Sequence, residues 1–364
     1  MTIEIRDCIK ALQPYPPGKP IEEVEREYGV TEAVKLASNE NPLGPSPKAI
    51  KALKNNLNSL NRYPDGNAYY LKKAISEKFK ISEERIVLGN GSDEIVMLLA
   101  LAFINPGEEI IVSQYSFVRY KMGAQLMGAR CIEVPLVDYQ HSLGDFPHCV
   151  TSKTKAIFID NPMNPIGTMA TRKKMEKLLE KIADRILIVV DEAYFEYVKD
   201  KKYPNCLEYI DQYPNLVVLR TFSKIYGLAG LRIGYGFSSP EIINGIECVR
   251  PPFNVNSAAQ IAGLAALSDN KFVKKSAKYN QKQKKFLYKE LDNLKIKYIE
   301  SHTNFILINL DSNGNQVSED LMKKGVIVRP LGDYNLNNFI RVTIGTEEEN
   351  IKFIKAFKEV LSKS

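Results

Sequence analysis

Long apolar runs are absent from this sequence. The longest candidate, Ile95–Ile104, falls well short of the about 20 residues that a helix needs to cross a bilayer, so no membrane span is expected. The opening residues, MTIEIRDCIKALQPYPPGKP, show neither the apolar stretch nor the cleavage site of a secretion signal, and the expected location is the cytoplasm. Cysteines are few and scattered. Cys8, Cys131, Cys149, Cys206 and Cys248 are odd in number and form no CxxC pair, which excludes a disulfide framework and a zinc ribbon. The three histidines form no HExxH pattern; His141 and His148 share a polar loop and read as solvated, and no metal site is expected. Internal repeats and low-complexity tracts are missing too. A formal net charge of +7 would suit a nucleic-acid binder, but the lysines are dispersed, as in Lys173–Lys181 and Lys274–Lys289, and no RNP, KH or zinc-finger pattern accompanies them. The excess charge reads as a solvated face that helps to draw in anionic substrates.

What is present is an ordinary globular composition, 44% hydrophobic and 26% charged, in a chain of 364 residues, enough for one large or two medium domains. Residues 1–30, rich in proline and then weakly helical at Ile21–Tyr28, read as an arm lying on the body. Ser46 is a candidate N-cap with Pro47 at the first helical position. From Ile86 to Tyr235 strands and helices alternate, the pattern of a mainly parallel sheet wrapped by helices. Strands are expected at Ile86–Leu88, Ile110–Val112, Cys131–Pro135, Ala156–Ile159, Ile186–Val190, Leu216–Leu219 and Ile233–Phe237. A long polar helix near Asn270–Leu294 bridges to a second unit with strands Phe305–Leu310, Val326–Arg329 and Phe339–Ile344. The fold class is thus α/β, with an arm (1–30), a large domain (31–258) and a small α+β domain (259–364).

The chemistry concentrates in Arg220–Gly236, RTFSKIYGLAGLRIGYG. Lys224 follows a buried strand in an apolar, Gly-rich setting; burial lowers an ammonium pKa and leaves a neutral amine able to attack carbonyl groups. Ser223 and Arg232 flank it with a hydroxyl and a fork of donors suited to phosphate. A surface lysine in a strand–loop–strand would give the same short pattern. Gly89–Glu94, GNGSDE, opens an apolar helix, where free N–H groups at Gly91, Ser92 and Asp93 favour an anion; Ser92 acting as a simple N-cap is the plainer reading. It is not a dinucleotide GxGxxG, because Glu94 stands at the last glycine position. Asp160–Thr168, DNPMNPIGT, follows a strand and carries two asparagines where α/β enzymes place ligand groups. The segment Val189–Tyr194, VVDEAY, ends another apolar strand with the carboxylate of Asp191, which if buried needs a cationic partner. Arg341 stands inside an apolar strand, where a guanidinium seeks a bidentate anion or a salt bridge within its domain.

Taken in order from Leu12 to about Thr346, these motifs resemble those of the fold-type I pyridoxal-phosphate aminotransferases, whose lysine motif stands here as Ser223-Lys224-Ile225-Tyr226-Gly227-Leu228-Ala229-Gly230-Leu231-Arg232-Ile233-Gly234-Tyr235. LQPYPPGKP at Leu12–Pro20, NENPLGPSP at Asn39–Pro47 and NRYPDG at Asn61–Gly66 are most similar to the histidinol-phosphate aminotransferases within them. The resemblance implies pyridoxal 5'-phosphate as cofactor in the large domain and Lys224 as its Schiff-base lysine. It implies Asp191 on the pyridine nitrogen, Asn164 and Tyr194 on the phenolate oxygen, and Phe117 stacked on the ring. It places Gly91, Ser92, Asp93, Ser223 and Arg232 around the cofactor phosphate, joined by Tyr63 from the partner subunit of a homodimer. It assigns Tyr15, Asn41, Tyr120, Asn164, Arg329 and Arg341 to the substrate. The implied reaction is a ping-pong transamination between L-histidinol phosphate and 2-oxoglutarate, giving imidazole acetol phosphate and glutamate, in histidine biosynthesis. A phenylalanine or tyrosine aminotransferase and, further off, a threonine-phosphate decarboxylase share the fold and stand as alternatives. A DNA-binding sensor on this fold would carry a helix-turn-helix extension, which is not expected here. Two departures from the family pattern are Ile166 in place of threonine and Ser116-Phe117 where Pro-Thr-aromatic is common.

Overall fold

The computed structural model describes residues 3–10, 12, 14 and 18–362. Twelve strands among them make two sheets: β1 Val34–Leu36, β2 Ile86–Gly89, β3 Glu109–Ser113, β4 Arg130–Val134, β5 Thr154–Asp160, β6 Leu187–Asp191, β7 Leu216–Thr221, β8 Gly234–Phe237, β9 Tyr298–Ile299, β10 Phe305–Asn309, β11 Val326–Pro330 and β12 Phe339–Thr343. The larger sheet runs β2-β8-β7-β6-β5-β3-β4, parallel except for β8, which is antiparallel to both neighbours. Its central strands are covered on both faces, so they read as unbroken apolar runs rather than alternating ones; every residue of β6 and β7 is buried. The helix Ser92–Phe103, apolar nearly all round, fills one face of this sheet with Ile95, Val96, Leu98 and Leu99.

The smaller sheet runs β1-β11-β12-β10-β9. Strand β1 pairs in parallel with β11, so residues 34–36 belong to this sheet although they precede the large unit in sequence; three residues are too few to show a period. The expected boundary at 259 also moves. The helix Ser257–Leu267 buries Ala259, Ala262 and Ala266 in the core of the large unit. The change of unit occurs inside the 24-residue helix Asn270–Asn293, which gives Ala277 to the large core and Leu287 and Leu291 to the small one. Asp269 caps that helix by accepting from Phe272 N at 3.2 Å, and its other oxygen takes the Ser46 hydroxyl at 2.7 Å. Ser46 therefore stands at its helix N-cap position with its hydroxyl tied elsewhere. In the arm, Ile21–Tyr28 packs Val24 against Ile327 of β11, while Cys8 and Arg6 reach Leu126 O.

Candidate active site

Three parallel strands end side by side, and their last residues begin the site. Asp160 closes β5 and Asp191 closes β6, opposite each other in register; Ser223 and Lys224 follow β7. They line a cavity of about 140 Å³ with Ser92, Phe117, Asn164, Tyr194 and Arg232, far more than the about 10–15 Å³ one water needs. Strand ends of open α/β sheets are where ligands bind.

Burial sets the protonation of the middle of this cavity. Asp191 accepts from Tyr120 Oη at 3.0 Å and from Ala193 N at 3.1 Å. Loss of water pushes its pKa up to about 7, and the adjacent Asp160 adds to the rise. Asp160, for the same first reason, is pushed up to about 6. Among the described residues neither carboxylate forms an ion pair with a basic side chain. Such a pair invites a cation from a ligand. Lys224 is drawn the other way: burial first, and then the Arg341 charge, lowers its ammonium to about 8. Its Nζ donates to Ser38 O at 3.2 Å.

At one end lies an anion cup. The helix Ser92–Phe103 starts without a side-chain cap, because its N-cap is Gly91 at φ 84°. Its first-turn N–H groups thus face outward with the positive end of the helix dipole. Only glycine fits there: a Cβ on Gly91 would come within 2.6 Å of Arg232 Nη2, and one on Gly234 within 2.2 Å of Ser92 N. Arg232 itself takes the left-handed conformation, φ 55°. The Asp93 carboxylate binds Arg119 Nε at 2.6 Å, leaving its backbone N–H for the cup.

At the other end Arg341, buried in β12, donates to Asn164 Oδ1 at 2.6 Å and to Ala37 O at 2.7 Å. Arg329 stands opposite it in register on β11, paired with Asp333. Tyr194 accepts from Asn39 Nδ2 at 2.9 Å, and burial pushes its hydroxyl up to about 12.

Three sequence assignments are placed differently. Asn41 spends its amide on structure, donating to Ile225 O at 2.8 Å and Ser276 Oγ at 3.0 Å while accepting from Leu43 N. Tyr120 is buried and stacked on Phe158 at 5.2 Å; it lines the cavity, with its hydroxyl donating to Asp191. His141, read as solvated, is buried between Ser113 Oγ at 2.6 Å and Asp160 O at 2.8 Å, and burial lowers it to about 4. Tyr63 is 84% exposed, stacks on Phe253 at 4.9 Å, and does not line its own chain's cavity. Tyr15 lies outside the described residues. Sequence reasoning missed Asp160 and Asn39 as site residues. Asp160 carried the same signal as Asp191, a carboxylate ending an apolar strand. Asn39, at φ 56°, owes its place to a backbone turn that leaves no periodic trace.

Comparisons with known proteins give the family. The sequence matches the family Aminotransferase class I and II over residues 31–357. It is 46% identical to the histidinol-phosphate aminotransferase of Moorella thermoacetica, covering 98% of this chain and 93% of that protein. The enzyme of the same name from Caldicellulosiruptor saccharolyticus is also 46% identical, over 98% of this chain and 99% of its own. The crystal structure of histidinol-phosphate aminotransferase from Sinorhizobium meliloti in complex with pyridoxal-5'-phosphate superposes with a TM-score of 0.92, at 25% identity, over 100% of this chain and 99% of that one. The chain belongs to the class I and II aminotransferases and, within them, to the histidinol-phosphate aminotransferase family.

Proposed function

We propose that this protein transfers the amino group of L-histidinol phosphate to 2-oxoglutarate, using pyridoxal 5'-phosphate, as a cytoplasmic homodimer serving histidine biosynthesis. The residues present fit that cofactor. The cup of Gly91, Ser92, Asp93, Ser223 and Arg232 suits its phosphate, because Gly91 and Gly234 leave no room for a Cβ where donor groups converge. Asp191, its pKa raised to about 7 by burial, would hold the ring nitrogen of that cofactor in its protonated form by an ion pair. Phe117 lines the cavity where a ring would lie. When bound, pyridoxal phosphate supplies an aldehyde that exchanges amino groups and a ring that accepts electrons as the substrate carbon loses its proton.

The chain's own residues do the rest. Lys224, with its pKa lowered to about 8, has a substantial neutral fraction near that pH and can take the proton from the amine-bearing carbon of the substrate at Nζ. Asn164 and Tyr194 both line the cavity, and their amide and hydroxyl would donate to the phenolate oxygen of a bound cofactor. Asp160 receives the backbone N–H of Asn164 at 2.9 Å and so fixes that loop against the strand ends.

The observation that carries the substrate reading is the arginine pair. Arg329 and Arg341 stand directly opposite each other on antiparallel strands, where like charges repel at Cβ separations of about 4.5–5.5 Å. Such a pair is favourable when one anion bridges it, and histidinol phosphate and glutamate each bring one: a phosphate, then a carboxylate. For assembly, Leu57, Leu60, Tyr63, Tyr69, Tyr70 and Phe253 are exposed apolar side chains on neighbouring segments. That surface suits a second copy, and would bring Tyr63 to the partner's cofactor phosphate. The test is steady-state kcat/KM with 2-oxoglutarate for histidinol phosphate, phenylalanine and tyrosine. Histidinol phosphate should lead by at least about tenfold, the worth of one good charged hydrogen bond. Parity with the aromatic amino acids would replace this reading.

A further inference from the structure

Between β11 and β12 the chain makes a 3-10 turn, Gly332–Tyr334, and its Asp333 carboxylate ion-pairs with Arg329. Arg329 is the more buried of the two, at 14% side-chain exposure against 37% for Asp333. The turn residues Asp333, Tyr334 and Asn335 line a groove of about 430 Å³ together with Phe117, and Phe117 also lines the active-site cavity. Asp333 thus faces this groove while it is paired with Arg329. An anion approaching Arg329 meets a carboxylate already seated on it.

We propose that Asp333 is an internal counter-ion to Arg329, displaced by the substrate anion, and that it lowers the affinity of the site for any anion that takes its place. The inference rests on Arg329 and Arg341 being the substrate-anion pair. Its physical basis is competition. Two facing guanidiniums without a counter-charge would bind any anion well. One carboxylate placed at i+4 raises the threshold, and because either anion must displace it, it weakens a phosphate and a carboxylate by the same factor. Asp333 touches neither cofactor nor reacting atoms in this scheme, so its effect belongs in binding and not in the chemical step.

The test uses cofactor-loaded enzyme and calorimetric titration with two probes, inorganic phosphate and propionate. Asp333→Asn removes the competing charge while keeping the side chain's size. Exposed ion pairs of this kind contribute about 0.2–1 kcal/mol, so both probes should bind roughly 1.4- to 5-fold more tightly, by the same factor. KM for histidinol phosphate should fall with kcat unchanged, and Asp333→Glu should restore wild-type behaviour. Unchanged or weakened binding of both probes to Asp333→Asn would overturn the counter-ion role. Arg329→Gln separates this from the underlying reading. If it weakens phosphate binding while Asp333→Asn has no effect, only the counter-ion role fails. If Arg329→Gln leaves phosphate binding untouched, Arg329 is not an anion ligand and both fail.

Discussion

Asp191 shows at the scale of one residue how function and stability pull apart. Its folded pKa of about 7 lies above the ordinary carboxylate value because burial penalises the charge. The native state therefore holds a proton that the unfolded chain gives up near pH 4. Stability from this group is present at low pH and is lost as pH rises through about 4 to 7. Asp191→Asn keeps the neutral form at every pH. In cofactor-free protein the variant should match wild type near pH 4 and exceed it in urea midpoint at pH 8, while transamination is lost. Parallel midpoints for the two proteins from pH 4 to 8 would show that the carboxylate is not held protonated. The residues that carry such chemistry were the most legible in the sequence. Lys224, Asp191, Ser223 and Arg232 each sit at a strand end or in a Gly-rich turn, where polar groups need a reason. The hydrogen bonds of Asn41 and Tyr120 were not legible, for the opposite reason. Their neighbours in space, Ser276 and Asp191, lie 235 and 71 residues away, and no local pattern reports how a hydrogen-bonding group is spent.

Among the elements, β6 and β7 do two jobs with alternate residues. Asp191 faces the cavity, and the next residue, Glu192, turns away to Arg220 of β7 at 2.8 Å, with both side chains at 2% exposure or less. Cys206 N adds a bond to the other Glu192 oxygen at 3.0 Å, and Phe195 covers the guanidinium at 3.6 Å. This buried pair ties the two strand ends that position Asp191 and Lys224. Removing one partner leaves the other charge dry and alone, so Glu192→Ala should cost about 3–5 kcal/mol, read as a lower urea midpoint at unchanged slope. A loss below about 1 kcal/mol would mean that water reaches Arg220. The central strands and the apolar helix Ser92–Phe103 were readable from the sequence because near-complete burial marks them. Strands β1 and β9, of three and two residues, were not, since both exist only through their pairing with β11 and β10.

Across the whole molecule, the arginine pair and the lysine come from different sheets, and the long helix Asn270–Asn293 holds those sheets together. The proposed homodimer adds one more part, Tyr63, and predicts complementation. When Lys224→Ala and Tyr63→Ala proteins are mixed and exchanged, one site of each hybrid dimer should be intact, so the mixture should exceed either parent in activity. A mixture no better than the Tyr63→Ala parent would place Tyr63 in its own chain's site or in none. The proposed substrate itself is tested most directly in a single half-reaction. Cofactor-loaded enzyme is mixed with histidinol phosphate, with no oxo acid present, and released imidazole acetol phosphate is counted per site. One equivalent per site, formed faster than phenylalanine yields its own oxo acid, is the expected result. Faster release from phenylalanine, or no release from histidinol phosphate, would contradict it.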